Sequence, residues 1–539
     1  MRRFRTCTLD QPLLVAPSLH DWLPESHLAR FIAEVVATLN LQPILDTYFR
    51  KNNRGAEGYH PEMLTRLLLY GYATGLTSSR RIEKATHDSV PFRYLAADQH
   101  PDHDTIANFR RQHLEELAKL FVQALQLCRK AALVKPGNVA IDGTKIKANA
   151  SFARGKTHTK MSEEEQKLGE LVKQWMADAE RSDAEDDARL GKGNKEEDLP
   201  EKLARANQRL ERLQQAKKEL EEEAKQRLAE VEREHPPRKR GRRKKGEGAA
   251  AAPTPEQVQT QAKHKNRRKK ARDNVKQPKR YYNFTDPDSR MMIDKGQRHL
   301  IYGYNAQAAV DGHAQVIVSA ELTQEETDYR MLLPMLSAVE ETMGEKPKAI
   351  TADAGYWDTE NINSDALKGT LALVNPDGGK KKEGAEKRRS NPTMERMREL
   401  LKTDEAKALY KQRKTIVEPV FGQIKQQRGI REFRLRGIKK TKAEWQLICL
   451  THNLLKLYHY DWAPQRGGKR PVSRAKGKSE QKTPGNPSCG LKGEAIPGNR
   501  ANGGKRAESR TLSASGRRNG WYRCGTPKMG TRGFIPTDS

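Results

Sequence analysis

The feature that most constrains the fold is a long charged segment separating two strand-like parts of the chain. The first strand-like part, GNVAIDGTKIKANAS, falls within 136–156, and the next begins near 281. Between them, 157–280 is dominated by Glu, Lys, Arg, Gln and Ala, which cannot supply the apolar faces of a sheet. Any sheet that contains the first strand must therefore take its other strands from beyond this insertion.

The insertion contains a helical pattern followed by two basic runs. Leu, Ala and Val recur near heptad positions across 203–231, which indicates either an antiparallel helical hairpin or a dimerising coiled coil. Pro and Gly end this pattern near 236, and we expect the basic cluster that follows to be disordered until it meets phosphate. A second basic run, KHKNRRKKARDNVKQPKR, completes the insertion.

Outside the insertion the chain divides into regions of different pattern. The region 1–135 has helical periodicity and predicts an all-α N-terminal domain that binds DNA. The region 281–461 mixes strand and helix patterns, including two strands at 302–310 and 315–322 that are expected to form a hairpin. The region 462–539 is rich in Gly, Ser, Pro, Lys and Arg. It is expected to be either a disordered basic tail or the product of an altered reading frame.

Two stretches of the N-terminal region carry more specific predictions. TSSRRIEKATHD fits a helix-turn-helix that presents Arg80, Arg81 and Lys84 to DNA, and it fits an ordinary solvated helix equally well. The residues after Asp104 are periodic to 133 and predict one long amphipathic helix capped by that aspartate.

The composition points to a polyanionic partner. The formal net charge is +31 and the pI is near 9.8, which favours nucleic acid over an anionic membrane surface because no long apolar segment accompanies the charge. Five cysteines lie far apart without a C-x-x-C pair, so neither a zinc module nor a disulfide framework is indicated. We expect a cytoplasmic, nucleoid-associated protein with no membrane contact.

Three acids follow or adjoin the predicted elements of a mixed sheet with helices on its faces. Asp142 is predicted to end the first strand, Asp353 ends the strand in ITADAGYW, and Glu418 begins an apolar run flanked by basic residues. Adjacent strand ends would bring the two aspartates together, and a packed helix would add the glutamate. Three such carboxylates would be stabilised by two Mg²⁺ ions, with Mn²⁺ as the alternative, that also bind a phosphodiester.

Each acid also has a simpler interpretation. Asp142 begins a DG dipeptide that is common in turns, and Asp353 could cap the turn that follows it. Glu418 could be a surface residue in the first turn of a helix, with Pro419 at the first helical position. Because a residue before proline avoids the helical region, we expect a helix start or a kink at Glu418.

The flanks of the three acids resemble a known family. VAIDGTKIKANAS, ITADAGYWDTEN and the long stretch beginning IVEPVFGQIKQQRGIREF are similar to the catalytic blocks of DDE-type insertion-sequence transposases, specifically the family IS-eleven-eighty-two. YHPEMLTRLLLYGYATG and the residues after it resemble the InsH-type N-terminal domain of those enzymes. The resemblance implies an RNase H-like mixed β-sheet domain, interrupted by the helical coiled-coil insertion, with Asp142, Asp353 and Glu418 as catalytic metal ligands.

The resemblance also implies residues that contact DNA. Related transposases carry a Tyr, Arg, Glu, Lys signature, and Tyr410, Arg413 and Lys425 match it around Glu418, although Lys414 could take the place of Arg413. Beyond the signature, four arginines are predicted to contact phosphates. They are Arg428, Arg431, Arg434 and Arg436.

The sequence therefore predicts a DNA transposase. It would bind the terminal inverted repeats of its element, cleave the strand ends and join them to target DNA, as a homodimer or higher oligomer that holds two ends together. The alternatives are a catalytically inactive or domesticated DNA-binding derivative and a nuclease of the same fold that does not join strands.

Overall fold

The computed structural model describes residues 18–49, 58–135, 137–190, 198–236, 255–294, 299–377, 391–462 and 465. The chain divides into two units, Met1–Val472 and Ser473–Ser539. The second unit lies outside the described residues, and so do nearly all of the predicted tail and the basic cluster at 237–254.

The N-terminal region is helical, as predicted. Its helices are α1 (Leu28–Thr38), α2 (Gln42–Phe49), α3 (Pro61–Thr74), α4 (Ser79–Asp88), α5 (Val90–Leu95), α6 (His103–Gln112) and α7 (Leu114–Lys130). The single helix expected after Asp104 is two helices that meet at His113, and Asp102 caps the first of them by accepting a hydrogen bond from the Thr105 N–H. No single helix among the described residues is long and apolar enough to cross a membrane. The bent pair formed by α1 and α2 meets the length and composition criteria for a membrane span only when the two helices are taken together.

Strands from both sides of the insertion form one mixed sheet. The strands are β1 (Asn138–Lys147), β2 (Gly155–Thr157), β3 (Tyr281–Asn283), β4 (Arg290–Asp294), β5 (His299–Asp311), β6 (Ile317–Thr323), β7 (Ala349–Ala352) and β8 (Leu371–Val374). β5 is antiparallel to β1 on one edge and to β4 and β6 on the other, which confirms the predicted hairpin of β5 and β6. On the far side, β7 runs parallel to β1 and β8 runs parallel to β7, while β2 and β3 form a separate ribbon.

Three long helices form the insertion, and we call them the arm. They are α8 (His158–Leu190), α9 (Asp198–Glu234) and α10 (Pro255–Lys276). His158 contacts Glu221 and the later residue Glu165 contacts the earlier residue Lys217, so α8 and α9 are antiparallel, the hairpin alternative of the two predicted. Leu213 and Leu220 of α9 are buried between them. The second basic run lies in α10, a helix that was not predicted.

The remaining helices close one continuous core. They are α11 (Leu332–Met343), α12 (Thr359–Ile362), α13 (Pro392–Leu400), α14 (Asp404–Gly422) and α15 (Ile438–Leu457). α15 is buried almost all round, and it packs against α3, α7 and β6. The N-terminal helices and the sheet therefore share a single hydrophobic core.

A buried polar network crosses this shared core. The Tyr72 hydroxyl donates to Glu444 Oε1 at 2.9 Å, and Arg110 Nη1 donates to the Tyr72 hydroxyl at 3.2 Å. Glu444 also accepts the backbone N–H of Arg434. Burial and the nearby Glu444 charge raise the pKa of Tyr72. The network ties α3 and α6 to α15 and to the chain that precedes α15.

Pro419 lies inside α14 rather than at its start. Of the two alternatives predicted at Glu418, the helix start is wrong, because α14 begins at Asp404 and runs through Pro419 to Gly422. The kink stays a prediction. A π-helical turn over Gln423–Gln427 follows α14. Proline has no N–H to donate to the carbonyl four residues earlier. The side-chain amide of Gln315 replaces that donor, reaching the Thr415 carbonyl at 2.8 Å.

Candidate active site

The structure brings Asp142 and Asp353 to the same level of adjacent parallel strands. Ala140 of β1 pairs with Thr351 of β7, and each aspartate lies two residues beyond its member of that pair. Asp142 lies inside β1, which continues to Lys147, so the prediction that it ends the strand is wrong. Gly143 pairs with Gln307, so the DG dipeptide is not a turn. Asp353 does cap the turn after β7, accepting the Gly355 N–H at 2.8 Å, and this role coexists with its position beside Asp142.

The electrostatics of Asp142 show that the two carboxylates interact. The pKa of Asp142 is raised to about 6, first by burial and then by the negative charge of Asp353, with a smaller contribution from Asp328. A hydrogen bond from the Gly143 N–H and the charge of Arg413 act in the opposite direction. The site therefore holds more negative charge than its own cations neutralise.

Asp328 is an acid at this site that was not predicted. Its Oδ1 accepts hydrogen bonds from the side-chain amides of Asn305 and Gln307, both at 2.7 Å, and lies 3.6 Å from the Lys145 ammonium. The side chain of Asp328 is only 13% exposed. Side chains of β1 and β5 therefore contact Oδ1. The other oxygen, Oδ2, lies on the side of Gly355.

Two glycines make room for this arrangement. A Cβ on Gly143 would lie 2.2 Å from Gln307 Nε2 and 2.5 Å from Asp328 Oδ1. A Cβ on Gly355 would lie 2.9 Å from Asp353 Oδ1 and 3.7 Å from Asp328 Oδ2. The glycine after Asp142 is therefore required by the close approach of side chains from β5 and from the turn before α11.

Tyr410 and Arg413 of α14 face the aspartates. Arg413 is buried, and its guanidinium carbon lies 5.8 Å from the centre of the Tyr410 ring. Burial raises the pKa of Tyr410, and the charge of Asp353 adds to that effect. Lys414 is exposed, so of the two alternatives Arg413 is the residue that interacts with Asp142.

Glu418 is not brought into contact with the aspartates. It lies on α14 between Arg413 and Lys425, but its side chain is exposed and makes no hydrogen bond or ion pair with a described residue. Lys425 is half-buried and donates to the Lys145 carbonyl of β1 at 2.6 Å. Glu418 thus lies on the exposed side of α14, between Arg413 of that helix and Lys425 of the π-helical turn after it.

The four arginines that follow the signature separate into two kinds. Arg428 is buried and donates to the Thr451 hydroxyl at 2.8 Å and to the Ile448 carbonyl at 3.2 Å. This environment contradicts the predicted phosphate contact, because the guanidinium is enclosed by α15. Arg431, Arg434 and Arg436 are exposed and remain accessible to DNA.

The N-terminal candidates are also accessible. Arg80, Arg81 and Lys84 are exposed on α4, while Ile82 and Ala85 are buried on its other side. A helix-turn-helix and a solvated helix both place them in this way, so both interpretations stay open.

The residues present fit a divalent cation in their chemistry. Asp142 and Asp353 supply the oxygen ligands that Mg²⁺ and Mn²⁺ prefer, and a cation would relieve their mutual repulsion. No group of three or more His, Cys, Asp or Glu side chains among the described residues has the arrangement of a preformed metal site. The expected third ligand, Glu418, is thus not assembled with the pair.

Two parts of the chain match known families. Residues 17–112 match the family described as Transposase domain (DUF772), and residues 377–458 match the family described as Transposase DDE domain. The second match includes Tyr410, Arg413 and Glu418 but neither aspartate. No curated protein and no solved structure matches the chain. Neither family match distinguishes one insertion-sequence family from another.

Proposed function

We propose that the chain is a DDE-type insertion-sequence transposase that cleaves the ends of its element and joins them to target DNA, which its two transposase family matches support. It would recognise these ends by binding their terminal inverted repeats. The observation that carries the proposal is the pair formed by Asp142 and Asp353 at one level of adjacent parallel strands.

The order of the strands supports an RNase H-like catalytic domain. β6, β5, β1, β7 and β8 follow one another across the sheet, with β5 antiparallel to β1 and with β1, β7 and β8 parallel. This is the mixed sheet that the resemblance implies, and the arm enters the chain after its first strand. The parallel strands end at the edge where ligands of open α/β sheets bind.

We propose that Asp142 and Asp353 hold a divalent cation and that Glu418 supplies the third carboxylate. When bound, the cation would supply the positive charge that a phosphodiester needs as its attacking and leaving oxygens become more negative. Asp328, already paired with Lys145, would keep the amides of Asn305 and Gln307 in place beneath Asp142. Water would attack in strand cleavage and a DNA 3′ hydroxyl in strand joining, so no covalent protein intermediate is required.

The chain's cations have distinct proposed roles. Arg413, held against Tyr410, limits the repulsion at Asp142 from within the protein. Arg431, Arg434 and Arg436 are exposed and would contact backbone phosphates, a sequence-independent interaction that weakens with salt. Two ends must be held together for joining, so the active species would be a dimer or a higher oligomer on DNA.

The proposal is tested by nicking of a duplex oligonucleotide that carries the element's end. Asp142→Asn, Asp353→Asn and Glu418→Gln should each lower the nicking rate about 10³-fold or more, since each removes several kcal/mol of charge stabilisation. Binding of the same duplex in EDTA should be unchanged. Glu405→Gln, an exposed acid on the same helix as Glu418, is the matched control and should nick like the wild type. A triple variant that still nicks DNA would disprove the assignment, and a wild type that binds without nicking would indicate the inactive derivative.

Binding of Mn²⁺ gives a readout that does not depend on activity. Electron paramagnetic resonance titration should show weaker binding in Asp142→Asn and Asp353→Asn. Comparison of Glu418→Gln with Asp328→Asn then identifies the third carboxylate. If Asp328→Asn binds Mn²⁺ more weakly than the wild type and Glu418→Gln binds it equally well, Glu418 is excluded as the third ligand.

A further inference from the structure

An opening lies outside the aspartate site, between the arm and the segment before α11. It has a volume of about 790 Å³, which is within the range of about 300–1,000 Å³ typical of ligand sites. Its walls come from α9, from α10 and the chain after it, and from the residues 325–331. We call it the arm cavity.

The arm cavity carries more positive than negative side chains. Two of its arginines are already paired, Arg227 with Glu325 at 3.3 Å and Arg330 with Glu234 at 2.9 Å. Lys270 of α10 and Lys279, by contrast, are exposed and make no ion pair with a described residue. The lining has five basic and three acidic side chains, so the cavity is positive overall, and Lys270 and Lys279 are exposed ammonium groups in it.

The same segment that forms one wall of the arm cavity also reaches the aspartate site. Thr327 and Tyr329 line the cavity, whereas Asp328 between them binds Asn305 and Gln307 beside Asp142. The segment 327–329 therefore contributes to both the cavity wall and the aspartate site.

Contacts with α10 hold this wall in place. The Arg267 guanidinium lies 5.9 Å from the centre of the Tyr329 ring, and the Tyr329 hydroxyl donates to Asp358 at 2.7 Å. The cavity wall is therefore fixed on both sides, by the arm and by the turn after β7.

We propose that the arm cavity binds the phosphodiester backbone of the DNA strand that enters the aspartate site, with Lys270 and Lys279 as its phosphate contacts. This inference rests on the proposed function, because it assigns a second part of the same substrate. Charge complementarity favours DNA, which the family acts on, and the short path to Asp328 favours the strand being cut.

Salt dependence of binding tests the proposal without catalysis. Fluorescence anisotropy in EDTA would follow a labelled duplex carrying the element's end, at salt concentrations of about 50 to 200 mM. Each lost phosphate contact lowers the slope of log affinity against log salt by about 0.9. The double variant Lys270→Gln/Lys279→Gln should therefore have a slope smaller by about 1.8, and the wild type should lose about twelvefold more affinity across this range than the variant does.

A matched control separates the cavity from the general charge of the arm. Lys218→Gln/Lys225→Gln removes two exposed lysines of α9 that do not line the cavity, and its slope should stay that of the wild type. The reversed variant Lys270→Glu/Lys279→Glu should weaken binding further than the glutamine variant. If the wild type nicks DNA but Lys270→Gln/Lys279→Gln keeps the wild-type slope, the cavity inference is wrong and the proposed function stands. A wild type that does not bind DNA would overturn both proposals.

Discussion

Substitution of Gly143 by alanine tests why a glycine follows Asp142. An added Cβ would lie 2.2 Å from Gln307 Nε2, 2.5 Å from Asp328 Oδ1 and 2.8 Å from Asn305 Oδ1. Carbon contacts are comfortable only at about 3.5–4.0 Å, so these three side chains must move by about 1 Å or more. They are linked to one another by hydrogen bonds, and one cannot move without disturbing the others.

The size of the effect follows from the bonds that must break. Two 2.7 Å hydrogen bonds join the amides to the Asp328 carboxylate. Hydrogen bonds to charged groups contribute about 1.5–3 kcal/mol each, and overpacking costs about 1–3 kcal/mol. Since the side chains can relax in part, we expect a loss of about 3–5 kcal/mol. If this loss raises the activation free energy of nicking by the same amount, the nicking rate falls at least about 100-fold, because each 1.36 kcal/mol is a factor of ten in rate.

The measurement combines single-turnover nicking of the end duplex with urea unfolding followed by circular dichroism. Gly422→Ala is the control, because that glycine is helical and a Cβ there would have nothing within 4 Å. It should nick at the wild-type rate and gain about 0.5–1 kcal/mol of stability. If Gly143→Ala nicks DNA within about threefold of the wild type and unfolds at the same urea concentration, close packing is not the reason for this glycine.

Three further substitutions test buried polar contacts by urea unfolding. Asp328→Ala should cost about 3 kcal/mol, because two amides and an ammonium lose their shared acceptor; an unchanged midpoint would mean that water replaces the carboxylate. Gln315→Ala should cost about 1–3 kcal/mol by leaving the Thr415 carbonyl unpaired, and less in a Pro419→Ala background, where the backbone regains its donor. Equal costs in the two backgrounds would contradict that explanation. Glu444→Gln should cost about 3 kcal/mol by removing a buried charge from its network, and a loss below about 1 kcal/mol would show that the charge contributes little.

Parts of the fold with an apolar periodicity could be predicted, and parts held by ion pairs could not. Strand patterns predicted β1, β5, β6 and β7, and all four lie in the sheet. Helix α10 has no apolar face, so its sequence shows a basic run without the apolar periodicity that predicts a helix. Across its contact with α9, Arg272 pairs with Glu232 at 2.7 Å, and Arg268 donates to the His235 carbonyl at 2.6 Å. Such pairs depend on which helices meet and cannot be read from one segment.

The same limit applies to the candidate site. Asp142 and Asp353 were found because they lie in or directly after predicted strands. Asp328 was missed because it lies at no predicted strand end; it is in the segment before α11, which begins at Leu332. Asn305 and Gln307 carried an unused signal, since two amides at alternate positions of a buried strand lie on one face and need a polar partner there.

The network of Tyr72, Arg110 and Glu444 has a consequence for dividing the chain. It joins residues within the first family match to a helix within the second, through a core that both share. A fragment that ends before α15 would expose the apolar faces of α3 and α7 and leave the Arg110 guanidinium without its acid. We therefore expect neither family match to form a stable domain when it is expressed alone, and we expect substitutions on one side of the network to depend on the residues on the other side.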